Sequence, residues 1–146
     1  MRIKNATWYE CKLRYSKTTE TGDTKKTTDI YVVDALSFTE AESLIINAAK
    51  DLLIEEFELK GLNEAQYKEI LFSDKEKDDT WFKVKLCFTS YDEVSGKEKK
   101  SLLLYLVQAK NIKNAMYNVE EMMKSSMIEY NIQSITQTNI KDVFQK

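Results

Sequence analysis

The fold is decided by an eight-residue stretch that occurs twice, first as Trp8-Tyr9-Glu10-Cys11-Lys12-Leu13-Arg14-Tyr15 and again as Trp81-Phe82-Lys83-Val84-Lys85-Leu86-Cys87-Phe88. Tryptophan, lysine and leucine recur, and two positions exchange one aromatic residue for another. Further along, Gly22 falls opposite Gly96, Lys25-Lys26-Thr27 opposite Lys99-Lys100-Ser101, and Ile30-Tyr31-Val32-Val33-Asp34-Ala35 opposite Leu104-Tyr105-Leu106-Val107-Gln108-Ala109. A match sustained at an offset of 73 to 74 residues predicts a chain of two similar halves.

Each half begins with a pattern typical of a β-hairpin. Apolar and polar residues alternate in the first segment, as in a strand that is buried on one face. Thr21-Gly22-Asp23 and Ser95-Gly96-Lys97 then supply turn residues. The second strands run through 30–33 and 102–107 with little alternation, which predicts cover on both faces. We expect a helix to cover one face and the sister half or a second subunit the other, so a homo-oligomer is also predicted.

A helix follows each hairpin. Ser37-Phe38-Thr39-Glu40 is a capping box, and Asn111 occupies the equivalent cap position. Apolar residues then recur at helical spacing on one face of each helix: Phe38, Ala41, Ile45, Ala48, Ala49, Leu52 and Leu53, and Ile112, Ala115, Met116, Val119, Met122, Met123, Met127 and Tyr130. The methionines favour core packing, with an adaptable partner surface as the alternative.

The halves close with residues 57–72 and 132–144, which we interpret as extended chain with breaks near Asn63 and Gln137; a short helix starting at Asn63 is the alternative. A half of this size buries too little apolar surface to be stable alone. We therefore predict an α+β fold in a single domain, residues 1–146. It consists of two β-β-α-β pseudo-repeats, about 8–72 and 81–144, with antiparallel sheets and two main helices sharing one core, joined by the polar loop 73–80.

The composition is that of a globular protein. Hydrophobic residues make up 42% of the chain and charged residues 32%, and the mean hydropathy is −0.50. No tract approaches the ~20 apolar residues of a membrane span. The first eight residues lead into a strand pattern without an apolar signal region, so we expect a cytoplasmic location and no membrane. A net charge of −2 and a pI near 5.4 argue against a strongly basic nucleic-acid protein.

Much catalytic chemistry is excluded. The chain has no histidine, and its two cysteines and three glycines provide neither a thiolate metal site nor a phosphate-binding glycine loop. Glu58-Leu59-Lys60, seven residues after Asp51, has a pattern seen in metal-dependent nucleases, but solvated charges explain it better. Cys11 is expected in the core as a small apolar residue. We predict no enzyme activity, no metal and no cofactor.

The remaining candidate site lies on the outer face of the two first strands, where tryptophan stands beside cations. Bases can stack on an aromatic ring while lysine and arginine neutralise phosphates, so this pattern suggests binding of single-stranded nucleic acid. The residues are Trp8, Lys12, Arg14, Lys25 and Lys26 in the first half and Trp81, Lys83, Lys85, Lys99 and Lys100 in the second. For the tryptophans we favour the alternative that they are core residues that anchor the interface between the halves, with the lysines solvated at its rim. The competing function is a protein-interaction module.

The same stretches carry a family resemblance. Residues 8–15 and 81–86, together with Tyr31-Val32-Val33-Asp34-Ala35-Leu36-Ser37-Phe38-Thr39-Glu40-Ala41-Glu42, resemble an uncharacterised domain family of about this length, found in Bacteroidetes genomes and their phages. The resemblance covers nearly the whole chain. It implies a bacterial or phage origin and a cytoplasmic location. It carries over no catalytic residue. The protein-interaction alternative is that of an accessory or inhibitor protein that docks on a host or phage protein.

Overall fold

A computed structural model describes residues 7–18, 20–52, 54 and 56–145 of the chain; the predicted helix residue Leu53 and the segment before Thr7 lie outside these residues. The described residues form two helices and eight strands. In chain order these are β1 Thr7–Thr18, β2 Thr24–Ala35, α1 Phe38–Asp51, β3 Phe57–Ala65, β4 Tyr67–Leu71, β5 Thr80–Tyr91, β6 Glu98–Ala109, α2 Ile112–Met123, β7 Glu129–Gln137 and β8 Ile140–Phe144. The α+β class predicted from the sequence is confirmed.

The element lengths follow the repeat. The four hairpin strands have 12 residues each, β3 and β7 have 9, and β4 and β8 have 5. Each half is thus β-β-α-β-β, because the closing segment is two strands separated by a break. The break of the first half falls at Gln66, and that of the second at residues 138–139. Asn63 lies within β3, so the alternative of a helix starting there is wrong.

The last strand of each half pairs in the sheet of the other half. One sheet has the order β3-β1-β2-β8 and the other has the order β4-β6-β5-β7. β8 runs parallel to β2, and β4 runs parallel to β6, whereas the other pairs are antiparallel. This exchange was not predicted from the sequence. It divides the chain into a first unit (β1, β2, α1, β3 and β8) and a second unit (β4 to β7 with α2).

Turns and caps form as the sequence predicts. Gly22 and Gly96 have φ angles of 86° and 69° in the hairpin turns, a region where only glycine is unstrained. Ser37 Oγ accepts a hydrogen bond from the Glu40 amide at 3.1 Å, and Asn111 Oδ1 accepts one from the Asn114 amide at 2.8 Å. Both side chains satisfy an amide that would otherwise lack a helical partner.

The second helix ends earlier than its apolar spacing predicts. Its last residue is Met123, and the Ser126 amide bonds the Met123 carbonyl at 3.0 Å, which closes the helix in a turn. Serine favours such local hydrogen bonds over helix interiors. Met127, predicted on the apolar helix face, is therefore 99% exposed. Met123 is buried as predicted, whereas Met116 is exposed.

The core of the first unit lies between its sheet and α1. Tyr9, Cys11 and Leu13 of β1 face the helix and pack with Ile45, while the exchanged strand contributes Phe144 at the edge of this cluster. Burial raises the pKa of the Cys11 thiol to about 12, with a smaller contribution from Glu10. Cys11 is therefore the inert core residue that the sequence predicted.

The second unit repeats this arrangement with different residues. Phe82, Val84 and Leu86 of β5 pack against Val119 of α2, and the exchanged strand β4 contributes Leu71. The structure thus has two clusters of buried apolar residues where the sequence suggested one shared core. That the chain behaves as a single domain stays a prediction.

The polar loop 73–80 is anchored to the second unit at its start. The Ser73 amide donates to Gln108 Oε1 at 2.9 Å, and Ser73 Oγ donates to Asp78 Oδ2 at 2.5 Å. Asp78 is buried as a result of this fold-back.

The second strands are covered within one chain, though not along their whole length. Val32, Val33, Leu106 and Val107 are fully buried, whereas Leu102 is 56% exposed. A second subunit is therefore not required to cover the apolar centre of these strands, and the cover predicted for Leu102 is absent. Neither described helix is long and apolar enough to cross a membrane.

Candidate binding grooves

Each helix is too short to cover the strands on which it packs. A strand of 12 residues extends about 40 Å, whereas the 12 residues of α2 span about 18 Å and the 14 of α1 about 21 Å. The far end of the helix-facing side of each sheet is consequently open. A groove lies there in each unit, beyond the last residue of the helix.

The groove of the second unit, here called the apolar groove, has a volume of about 700 Å³. Phe88 and Leu103 form its half-buried floor with Tyr105, and Met123 lines the end next to the helix. Its rim carries Met127 and Ile128, both exposed. Exposed aliphatic and methionine side chains around an apolar floor are unusual on a water-facing surface.

The groove of the first unit, here called the polar groove, has a volume of about 590 Å³. Asp29 lies at its floor, where Oδ2 accepts hydrogen bonds from the Tyr15 hydroxyl at 2.7 Å and from the Tyr31 hydroxyl at 3.4 Å. Leu52 and Ile54 supply an apolar side. The floor of this groove is therefore a carboxylate held between two phenols.

Both phenols stay protonated at neutral pH. The hydrogen bond to Asp29 raises the pKa of Tyr15 to about 12, with burial and the charge of Asp29 adding to the effect. Burial raises the pKa of Tyr31, and the neighbouring Asp29 charge raises it further. Each hydroxyl is thus a donor, and Asp29 is the acceptor.

The two grooves occupy equivalent places in the repeat. Tyr31, Glu56 and Lys141 line one, and the matching residues Tyr105, Glu129 and Lys68 line the other. The floors differ at two matched positions, where Tyr15 corresponds to Phe88 and Asp29 to Leu103. The polar groove therefore has both the Tyr15 hydroxyl and the Asp29 carboxylate, whereas the apolar groove has apolar side chains at both positions.

The tryptophans of the predicted nucleic-acid site do not offer a stacking surface. Trp8 and Trp81 are each 2% exposed, on the sheet faces opposite the helices. Trp81 makes an edge contact with Phe72 at 5.6 Å between ring centroids. The predicted burial of the tryptophans is confirmed, whereas their place between the halves stays a prediction. The predicted aromatic platform is corrected because neither ring has an open face for a base.

The predicted cations of the first half only partly share a face. Lys12 and Arg14 alternate with the core residues, and Lys26 joins them because it pairs with Ser16. The stem of Lys12 lies over Gly61, where an added Cβ would be 3.5 Å from Cδ of the lysine. Lys25 has the opposite parity, so its side chain belongs to the helix-facing side and outside this cluster.

The predicted cations of the second half are divided between the two sheet faces in the same way. Lys83 and Lys85 share a face with Trp81, and Lys100 joins them through its pairing with Thr89. Lys83 is half-buried with Nζ 5.9 Å from the Tyr67 ring centroid, and Lys100 Nζ lies 3.7 Å from Glu98 Oε1. Lys99 has the parity of the helix-facing side.

The nuclease-like pattern does not assemble. Glu58 forms an ion pair with Lys60 at 3.1 Å on the sheet face opposite α1, which carries Asp51 at its end. The charge of Lys60 and its hydrogen bond lower the pKa of Glu58. Among the described residues no group of three acidic or cysteine side chains could hold a metal ion.

Sequence reasoning missed both grooves. The matched positions Tyr15 and Phe88 differ in the sequence, but that difference indicates a groove only once the ends of the helices are known. The apolar spacing predicted a helix that continues to Tyr130. Because α2 ends at Met123 instead, Phe88 and Leu103 are left only half-buried.

Comparison with known proteins identifies a family but no function. A family model described as a domain of unknown function (DUF4494) matches residues 7–146, which include both repeats. No curated protein matches the chain.

Proposed function

The chain belongs to the DUF4494 family, a domain of unknown function, and we propose that it is a non-enzymatic protein-interaction module that binds an apolar segment of a protein partner in the apolar groove. The observation that carries this proposal is the open, apolar floor formed by Phe88 and Leu103 beneath the exposed rim residues Met127 and Ile128. Burying such a surface against a partner is favourable in proportion to the apolar area removed from water.

The shape and chemistry of the groove favour a peptide segment as its occupant. The volume of about 700 Å³ lies within the roughly 300–1,000 Å³ of ligand sites. Methionine adapts to irregular partners, and both Met123 and Met127 line the groove. β4 contributes Lys68 and is the terminal strand of its sheet, so its edge can hydrogen-bond an extended backbone.

Peptide selection tests this function directly. A random dodecapeptide library is selected against the full chain, and enriched peptides are measured by fluorescence anisotropy. We expect sequences with two or more apolar anchors, and Met127→Asp should weaken binding about tenfold because it places a charge on the apolar rim. Val94→Asp is the matched control, since Val94 is equally exposed but lies in the β5–β6 turn. Peptides without apolar enrichment, or equal affinity for both variants, would contradict the proposal.

The resemblance to Bacteroidetes and phage proteins supports a specific form of this role. In that form the chain is a cytoplasmic bacterial or phage accessory or inhibitor protein that docks on another protein. The absence of histidine supports the non-enzymatic part of the proposal, because imidazole is the commonest general acid and base. A divalent-metal-dependent nuclease activity lost in Glu58→Ala would overturn that part.

Single-stranded nucleic acid is a second candidate ligand. Its support is the cluster of Lys12, Arg14 and Lys26 on one sheet face, which can neutralise phosphates. Because the tryptophans are buried, binding of this kind should leave tryptophan emission unchanged while anisotropy of labelled single-stranded DNA rises. Lys12→Ala should then weaken binding to all sequences alike, and Lys85→Ala should do so in the second half. Flat anisotropy at low salt would remove this candidate.

A further inference from the structure

We propose that the polar groove is a second binding site, which receives the guanidinium group of an arginine side chain. Three side chains carry the inference: the Asp29 carboxylate at the floor, with Tyr15 and Tyr31 donating to its Oδ2 at 2.7 and 3.4 Å. The site is separate from the apolar groove, so it stands whether or not that groove binds a partner.

The second unit forms the same strand framework with an apolar floor. The sister groove has Leu103 at the position of Asp29 and Phe88 at the position of Tyr15, on the same strand framework. A partly buried carboxylate costs desolvation free energy that leucine does not. The two tyrosine hydroxyls offset part of this cost, and the carboxylate gives the first unit a charged groove floor where the second unit has an apolar one.

Asp29 determines the charge that a ligand meets at the floor of the polar groove. Among the described residues, Glu56 and Asp142 are exposed near the groove, and so are Lys17 and Lys141, so the two acidic and two basic side chains described at the rim offset one another. Both tyrosine hydroxyls point to Asp29 as donors, so they fix the carboxylate in place. A ligand group that enters the groove meets a net negative floor.

Guanidinium fits this floor better than a compact ammonium. It is planar, it donates two parallel hydrogen bonds to a carboxylate, and it is attracted to the faces of aromatic rings. Half-buried Tyr15 supplies such a ring next to Asp29, whereas Tyr31 is buried and stacked on Phe144 and contributes only its hydroxyl. Leu52 and Ile54 offer an apolar side along which the alkyl stem of an arginine can lie.

Two-dimensional ¹H–¹⁵N NMR of the full chain tests the proposal, with N-acetyl-arginine amide as the probe. We expect saturable shifts at the amides of Tyr15, Asp29 and Ile54. N-acetyl-norleucine amide and N-acetyl-glutamate amide should leave these amides unchanged. Asp29→Asn should weaken arginine binding about tenfold, because it removes the charge and keeps the shape. Leu103→Asn, the matched change in the other groove, should leave arginine binding unaltered.

The double variant Tyr15→Phe/Asp29→Leu gives the polar groove the floor residues of the apolar groove. It keeps the proposal testable if the single variant does not fold. It should lose the arginine shifts and give norleucine shifts instead. The proposal is wrong if arginine produces no saturable shifts, if Asp29→Asn binds it equally well, or if the glutamate amide binds more tightly. None of these results bears on peptide binding by the apolar groove, which uses other residues and another probe.

Discussion

Truncation of one side chain in an exchanged strand should destabilise the unit in whose sheet that strand pairs. Phe144 belongs to the second repeat by sequence, yet its ring stacks on Tyr31 of the first unit at 5.6 Å between centroids, with the planes 17° apart. It also packs at the edge of the first unit's cluster. We expect Phe144→Ala to unfold the first unit at a lower urea concentration.

The size of the effect follows from burial. Phenylalanine-to-alanine changes cost about 3–5 kcal/mol at fully buried sites, and Phe144 is half-buried, so the loss should be roughly 2 kcal/mol. With a urea m-value of about 2 kcal/mol/M, the midpoint should fall by roughly 1 M. Each unit contains one tryptophan, so Trp81→Phe leaves Trp8 as a reporter of the first unit, and Trp8→Phe leaves Trp81 as a reporter of the second.

Leu71→Ala is the mirror experiment, because Leu71 comes from the first repeat and packs in the second unit's cluster. Phe144→Ala should lower the Trp8 midpoint, and Leu71→Ala the Trp81 midpoint. The opposite assignment, in which each change is felt by its own repeat, would refute the strand exchange. If both tryptophans instead report one coincident transition in every variant, the two units unfold together as the single domain that the sequence predicts, and each substitution should then lower that common midpoint.

Three further predictions concern caps, pH and assembly. Ser37→Ala and Asn111→Ala should each lower stability in urea by about 1 kcal/mol, because each removes the acceptor of a helix-end amide, whereas the exposed substitution Thr39→Ala should change it little. The folded pKa of Tyr15 is raised from 10.0 to about 12, so its contribution to stability is complete below pH 10 and is lost as the pH rises towards 12; Tyr15→Phe should flatten that part of a pH–stability curve. Light scattering checks the predicted homo-oligomer, and a monomer mass at high concentration would contradict it.

Local features of this fold were predictable because their signals lie close together in the sequence. Alternation placed Cys11 in the core, the turn glycines fixed both hairpins, and Ser37 and Asn111 marked the helix starts. The parity of each strand also predicted correctly that Lys12 and Arg14 share a face. Each of these inferences depends on residues only a few positions apart.

The strand exchange could not be predicted because the deciding interactions are distant in sequence. The pattern of Tyr67–Leu71 suits the edge of either sheet, since Ile70 and Leu71 can pair with β2 or with β6 through the same backbone hydrogen bonds. The grooves were missed for a related reason: they depend on the difference in length between a helix and its strands. Six of the eight candidate cations have the predicted strand parity, whereas Lys25 and Lys99 fall on the other side of their sheets.

The exchange of β4 and β8 between the two sheets also explains how one molecule can have two grooves of different chemistry. A polypeptide carrying a single β-β-α-β-β set could form the same sheet by exchanging its fourth strand with an identical copy. In such a homodimer every substitution is made twice, so a change from leucine to aspartate would alter both grooves at once. Joining the two sets through residues 73–80 frees each to change independently. Asp29 in one groove and Leu103 in the other are such a difference, which a homodimer of identical halves could not carry.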